Sequence, residues 1–75
     1  MAETAQKDEI SVQVNGEPRT IPAGCSIADM LRAIGLDPRK VAVERNLEVV
    51  PRSTLEEVQV GDGDAFEIVH FVGGG

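Results

Sequence analysis

The residues with the clearest chemical potential are the last three of the chain, Gly73, Gly74 and Gly75. They follow a patterned apolar segment directly, with no polar linker between. Because glycine has no Cβ, a partner protein can enclose this backbone in a tunnel too narrow for other residues. Three extended residues reach roughly 10 Å, which would carry the Gly75 carboxylate into another protein's active site. A plain flexible tail is the alternative, and spacing alone leaves both interpretations open.

Other reactive side chains are few, with one Cys, one His, no Tyr and no Trp. Cys25 precedes a predicted helix, where a thiol pKa can fall, but no base lies nearby in sequence, so an apolar stapling role is favoured over a nucleophile. We interpret His70 as a partly buried structural imidazole. Asp62 and Asp64 lie in a glycine-rich turn that is too short for a calcium loop. We therefore expect no bound metal or cofactor, and no enzyme acting alone.

Size and charge exclude further classes. The chain has 75 residues, and a domain of this size needs most of its apolar side chains for its core, which argues against a deep catalytic pocket. Seven basic and thirteen acidic residues give a net charge of −6, which disfavours nucleic acid and anionic membranes as partners. No apolar run approaches the ~20 residues that span a bilayer. The polar start lacks the core of a signal peptide, and a lone cysteine suits the cytoplasm.

The first structured segment is predicted to be a β-hairpin. Residues 10–14 alternate between apolar and polar. Asn15 and Gly16 follow, and this pair favours a type I′ turn because both central residues need a positive φ. Residues 17–21 return as a second strand. Pro18 cannot donate a ladder hydrogen bond, so this strand is predicted to lie at an edge of the sheet.

A helix is predicted next, starting from Ser26 as N-cap with Asp29 in its first turn. One apolar stripe runs along it, formed by Ile27, Met30, Leu31 and Ile34. Gly35 is placed for the left-handed residue that ends a helix, and Leu36 can then fold back toward Leu31.

Three further strands are predicted at residues 41–45, 47–50 and 65–72, with 53–57 either a turn or one helical turn. The order β-β-α-β-β-β allows one helix to cover one face of a mixed sheet, with the last strand parallel to the first. This is an α+β fold of the β-grasp (ubiquitin-like) type. We expect residues 1–9 to be a disordered tail, 10–72 the β-grasp domain, and 73–75 a flexible glycine tail.

The last strand also predicts a docking face. Phe66 and Ile68 fall on the core side, while Glu67, Val69 and Phe71 fall on the opposite side. A sheet covered by a single helix leaves its outer face in water, so apolar side chains there indicate a surface for a partner. Ala42 and Glu44 of the third strand are predicted to share that face.

These residues together resemble the ThiS family of sulfur carriers in thiamine biosynthesis. The resemblance covers about residues 10–75. Its more specific parts are Val50-Pro51-Arg52 and the Asp62-Gly63-Asp64 turn before the last strand, while a Gly-Gly end is shared with MoaD and ubiquitin-like modifiers. The chain departs from the family pattern at Leu47, where many members have glycine, and in its longer N-terminal segment.

The resemblance implies a carrier rather than an enzyme. A ThiF-type enzyme would use ATP to adenylate the Gly75 carboxylate, and a sulfur-donor protein would supply the sulfur that displaces AMP. The resulting thiocarboxylate would pass its sulfur to thiazole synthase (ThiG-type). In this scheme Gly73 and Gly74 allow threading, while Glu67, Val69 and Phe71 contact partners. The ATP site belongs to the activating partner, and this chain binds no cofactor.

Two alternatives remain open at this level. The first is a sulfur carrier for another pathway, such as molybdopterin synthesis, cysteine synthesis or tRNA thiolation. The second is a ubiquitin-like modifier that forms isopeptide bonds with target lysines. All three share the activation chemistry and differ in what becomes of the activated Gly75.

Overall fold

Five strands and one helix make up the fold in the computed structural model, which describes residues 8–71. The elements are β1 (Glu9–Val14), β2 (Glu17–Pro22), α1 (Ile27–Ala33), β3 (Val41–Arg45), β4 (Glu48–Val50) and β5 (Ala65–His70), with short 3₁₀ turns at Pro38–Lys40 and Arg52–Thr54. The predicted order of elements is confirmed. β1 begins one residue earlier than predicted, at Glu9, and residues 1–7 of the predicted tail lie outside the described residues. Leu47 lies in the turn before β4 rather than within the strand.

The sheet is mixed, with strand order β2-β1-β5-β3-β4. β1 and β5 run parallel in its middle, and the β1–β2 and β3–β4 hairpins extend it on either side. β2 is an edge strand, as Pro18 predicted. The parallel pairing is possible because the long crossover between β1 and β5 contains α1. The predicted β-grasp arrangement is therefore confirmed.

Helix α1 has a defined cap at each end. Ser26 accepts a hydrogen bond from the Asp29 N–H at 3.0 Å, and the Asp29 carboxylate accepts one from the Ser26 N–H, which completes a capping box. At the other end Gly35 has a φ of 90°, and the Leu36 N–H donates to the Leu31 carbonyl at 2.8 Å. The Gly35 N–H donates to the Arg32 carbonyl, so the helix ends in a Schellman motif. No helix within residues 8–71 is long and apolar enough to cross a membrane.

The core lies between α1 and the inner face of the sheet. Within residues 8–71 it is formed by fourteen buried apolar residues: Ile10, Val12, Val14, Ile21, Ile27, Ala28, Met30, Leu31, Val41, Val43, Leu55, Val60, Phe66 and Ile68. Val60 is buried, while Val58 is half-buried and packs against the core. Because hydrophobic burial is the main favourable term in folding, this single cluster holds both layers together.

The segment whose structure the sequence left open lies beside the start of α1. A 3₁₀ turn at Arg52–Thr54 continues into a turn through Glu57. The Ala28 N–H donates to the Leu55 carbonyl and the Ile27 N–H donates to the Val58 carbonyl, both at 2.9 Å. The first N–H groups of a helix have no partner within the helix, so this segment supplies theirs.

Candidate docking face

The two faces of β5 differ as predicted. Phe66 and Ile68 are buried against α1, while Glu67 and Val69 are exposed on the outer face. Phe71 follows the strand and is 49% exposed. The assignment of these residues to opposite faces is therefore confirmed, and the outer face carries apolar groups in water.

Strands β3 and β4 widen this outer face. Ala42 pairs with Val69 and Glu44 pairs with Glu67 across β3 and β5, and Val49 pairs with Glu44 across β3 and β4. Cross-strand partners point to the same face of a sheet. We call this surface the outer patch; it consists of Ala42, Glu44, Leu47, Val49, Glu67, Val69 and Phe71, which line two adjoining shallow grooves.

Leu47 and Val49 belong to the outer patch but were not predicted as binding residues. Val49 could have been found from the sequence, because a hairpin turn at Asn46 and Leu47 pairs it with Glu44. Leu47 gives a weaker signal, since a turn residue has no face assigned by strand alternation. The β5 side of the outer patch was therefore predicted from the sequence, whereas the β4 side was not.

Arg52 contacts Phe71, the last described residue, where the chain follows β5. Its guanidinium lies over the Phe71 ring, 4.5 Å from the ring centroid. A guanidinium over an aromatic face is attracted by the ring's negative π surface. The Phe71 N–H also donates to the Lys40 carbonyl at 3.0 Å, which extends the β3–β5 ladder. No sequence pattern indicates this stacking, because it depends on the 3₁₀ turn that brings Arg52 toward Phe71.

Gly73, Gly74 and Gly75 lie outside the described residues. The structure describes the chain up to Phe71, two residues before Gly73. The last described residue is Phe71, held on one side by Lys40 and covered by Arg52. The described chain therefore ends at Phe71, at the margin of the outer patch.

Cys25 has the surroundings of a packing residue. It is half-buried and packs against the core just before α1. Burial raises the pKa of the Cys25 thiol, and the nearby negative charge of Asp29 raises it further. Since the thiolate is the reactive form, this environment disfavours a nucleophile at neutral pH.

The prediction for His70 is wrong in one respect, because the residue is exposed rather than partly buried. It does lie on the same side of β5 as Phe66 and Ile68. However, the side-chain bonds from the β1–β2 hairpin to β5 are made at Ile68, two residues before His70. His70 instead lines a shallow groove beside the hairpin.

The two aspartates of the Gly61–Asp64 turn have structural partners, in keeping with the prediction of a turn. Asp62 accepts from the Ser11 N–H at 2.8 Å. The nearly buried Asp64 carboxylate accepts from the Gly61 N–H, Arg45 Nε and Asn46 Nδ2 at 2.8, 3.0 and 3.2 Å. In residues 8–71, no group of three or more His, Cys, Asp or Glu side chains could hold a metal ion.

A polar cleft near the end of α1 is occupied by its own ion pairs. Arg32 pairs with Glu56 and Asp29, and Arg39 pairs with Asp37 at 3.1 Å. The hydrogen bonds from Arg39 lower the pKa of Asp37 to about 2, and those to Glu56 raise the pKa of Arg32. Because both guanidinium groups have carboxylate partners, the cleft does not offer a free cationic site for an anion.

Comparison with known proteins relates this geometry to a family. The chain matches the ThiS family model over residues 12–75. It is 46% identical over 50 residues to the sulfur carrier protein ThiS of Bacillus subtilis, covering 67% of this chain and 76% of that protein. A crystal structure of the thiamine biosynthesis protein ThiS from Geobacter metallireducens has a TM-score of 0.72 and 35% identity, covering 88% of this chain and 100% of that one.

A second group of relatives is much longer. A thiazole synthase from Paramagnetospirillum magneticum is 53% identical over 62 residues, which is 83% of this chain and 19% of that protein. The chain thus spans about a fifth of the length of this relative. A protein designed on the template of human erythrocytic ubiquitin shares the fold alone, with a TM-score of 0.52 and 15% identity. Since the family model covers most of its length, and since a sulfur carrier resembles 67% of the chain and a solved ThiS structure 88% of it, the chain belongs to the ThiS family.

Proposed function

We propose that this chain is a sulfur carrier of thiamine biosynthesis whose carrying group is the Gly75 carboxylate. Membership of the ThiS family and the likeness to the Bacillus subtilis sulfur carrier support this role. The structural observation that supports it best concerns β5 and the residues that follow it. This strand bears exposed apolar groups on its outer face and leads, through the fixed Phe71, into Gly73, Gly74 and Gly75.

The proposed chemistry has two steps on Gly75. A carboxylate oxygen first attacks the α-phosphorus of ATP, and pyrophosphate leaves, giving an acyl-adenylate. Hydrosulfide, delivered by a sulfur-donor protein, then attacks the carbonyl carbon. The bond between the carbonyl carbon and the AMP oxygen breaks, AMP leaves, and a thiocarboxylate remains. No atom changes its oxidation state. Activation is needed because a free carboxylate is a poor electrophile.

The partners divide this work. A ThiF-type enzyme holds ATP and performs the adenylation, and a ThiG-type thiazole synthase accepts the sulfur. The named thiazole synthase relative supports the second partnership, because a segment like this chain occurs in the same polypeptide. Gly73 and Gly74 pass through the partner's channel, while the outer patch, with Glu67, Val69 and Phe71, contacts the partner's surface.

The direct test is removal of the reacting end. Deleting Gly74 and Gly75 is expected to abolish ATP–pyrophosphate exchange catalysed by the ThiF-type enzyme. The fold and its melting temperature should stay as they are, because residues 8–71 already contain the whole described core. A truncated chain that supports exchange at the full rate would contradict the proposal.

Cys25 provides the matched control. Cys25→Ala should keep full exchange and full sulfur loading, since an apolar group of modest size suffices for packing beside α1. If sulfur loading disappears with Cys25 while Gly75 stays an ordinary carboxylate, a persulfide on this thiol would be the better account.

A further inference from the structure

The exposed large apolar side chains of the described residues all lie on one surface. These are Leu47, Val49, Val69 and Phe71, which are 88%, 73%, 63% and 49% exposed. Two of them, Leu47 and Val49, come from the β3–β4 hairpin rather than from β5. The exposed apolar surface therefore includes the β3–β4 hairpin and is not confined to β5 and Phe71.

Leu47 is unfavourable to the fold in two ways. Its backbone has a φ of 74°, where the Cβ of an L residue crowds the following carbonyl. Its side chain is also the most exposed of the large apolar groups in the described chain. Glycine at this position would remove both costs. The strain is therefore not offset by burial of the side chain within the described domain.

A second unfavourable arrangement lies beside it. Glu44 and Glu67 are direct cross-strand neighbours on the outer face, and like charges in this position repel. Neither carboxylate forms an ion pair with another residue in the range 8–71. Ala42, Val49 and Val69 surround the pair, so the patch presents two negative charges within an apolar border.

We propose that the outer patch, with Leu47 at its apex, docks the thiazole synthase, and that the synthase covers it with an apolar surface centred on an arginine or lysine. This rests on the proposed function and specifies its docking surface. A basic side chain between Glu44 and Glu67 would turn their repulsion into attraction, and apolar contact would bury Leu47.

Charge complementarity separates this occupant from a second copy of the chain. In a symmetric dimer the same patch meets itself, so four carboxylates would converge in an interface between chains of net charge −6. A basic partner surface has no such penalty. The covalent continuity with thiazole synthase in the Paramagnetospirillum magneticum relative supports the synthase as the partner, since domains of one polypeptide meet at high effective concentration.

The test measures stability and docking on the same variants. Leu47→Gly should leave the melting temperature unchanged or raise it, yet weaken binding to the thiazole synthase of the same organism at least roughly fivefold. Leu47→Asn, which also tolerates a positive φ, should weaken binding similarly. Glu44→Gln combined with Glu67→Gln should also keep or raise the melting temperature, weaken binding, and flatten its dependence on salt. Glu57→Gln, an exposed charge outside the patch, is the control and should bind normally.

Three results would overturn the inference. Unchanged binding of both Leu47 variants would exclude the hairpin apex from the docking surface. A marked loss of melting temperature in Leu47→Gly would show that Leu47 serves the fold. Concentration-dependent self-association that Leu47→Gly abolishes would assign the patch to a second copy. Failure of the unmutated chain to bind the synthase at all would instead count against the proposed function, so the two failures are distinguishable.

Discussion

The β1–β2 and β3–β4 hairpins turn with nearly the same backbone but with different residues. In the first, Asn15 and Gly16 have φ values of 52° and 84°; in the second, Asn46 and Leu47 have 52° and 74°. A type I′ turn requires positive φ at both positions, which asparagine and glycine adopt at little cost. Leucine does not, so the second hairpin adopts the same geometry at a greater cost.

The asparagines of both turns anchor their hairpins to β5. The Asn15 side chain accepts from the Ile68 N–H at 2.7 Å and donates to the Ile68 carbonyl at 3.1 Å. The Asn46 side chain accepts from the Ala65 N–H at 3.0 Å and donates to Asp64. Both positions are thus explained by the fold. Gly16 is explained by its positive φ, whereas Leu47 has no such explanation within the fold. This difference indicates that a contact with a partner, outside the domain, accounts for the leucine.

The largest effect is expected where the second hairpin is tied down most heavily. Asp64→Ala should lower the free energy of unfolding by about 3 kcal/mol, because Arg45, Asn46 and the Gly61 N–H all lose a partly buried acceptor. Urea unfolding monitored by circular dichroism measures it. Glu57→Gln is the control, and a loss below about 1 kcal/mol would mean that the Asp64 network adds little.

The two asparagine anchors should contribute alike. Asn15→Gly and Asn46→Gly keep a residue that tolerates a positive φ, so each mainly removes the side-chain hydrogen bonds to β5. Each should cost about 2 kcal/mol in the free energy of unfolding. Urea titrations of the two variants, run side by side, measure this. If only one variant lost stability, the two asparagines would not have equivalent roles.

A substitution at Phe71, beside the second hairpin, is expected to affect partner binding but not folding. Phe71→Ala should weaken binding to the adenylating enzyme by more than about 1 kcal/mol, because it removes a half-exposed aromatic side chain and the surface on which Arg52 stacks. Its melting temperature should change little. A binding titration together with thermal melting checks both, and a large fall in melting temperature would make Phe71 a core residue instead.

The smallest effect is expected from placing a leucine in the turn of the first hairpin, at the position that Leu47 occupies in the second. A Cβ at Gly16 would meet no heavy atom within 4 Å, so Gly16→Leu introduces backbone strain without a clash. We expect a loss of about 1 kcal/mol in the free energy of unfolding, because the strain is partly offset by the smaller entropy of the unfolded chain. Binding to partners should not change. If stability is unaffected, a leucine in this geometry costs little, and the positive φ of Leu47 would not indicate a role outside the fold.

The fold was predictable to the extent that it is encoded in local patterns. The Asn15–Gly16 turn, the edge position of Pro18, and the caps Ser26 and Gly35 each have a strong local signature, and all four are confirmed. The alternation along β5 likewise assigned Phe66 and Val69 to opposite faces correctly.

What sequence reasoning missed depends on contacts between distant parts of the chain. Arg52 reaches Phe71 only because a 3₁₀ turn places it there. His70 was misjudged because alternation gives the face of a strand residue but not how far along the strand that face is covered. The exposure of Leu47 follows from tertiary packing, although its departure from the family pattern was visible in the sequence.

The location of sulfur after loading tests directly whether Gly75 is the carrying residue. The chain would be incubated with the ThiF-type enzyme, ATP and sulfide, then analysed by intact mass and fragmentation. We expect one oxygen replaced by sulfur, located at Gly75, in both the unmutated chain and Cys25→Ala. A Gly75 that stays an ordinary carboxylate under conditions that support ATP–pyrophosphate exchange would contradict the assignment of Gly75 as the sulfur-carrying residue.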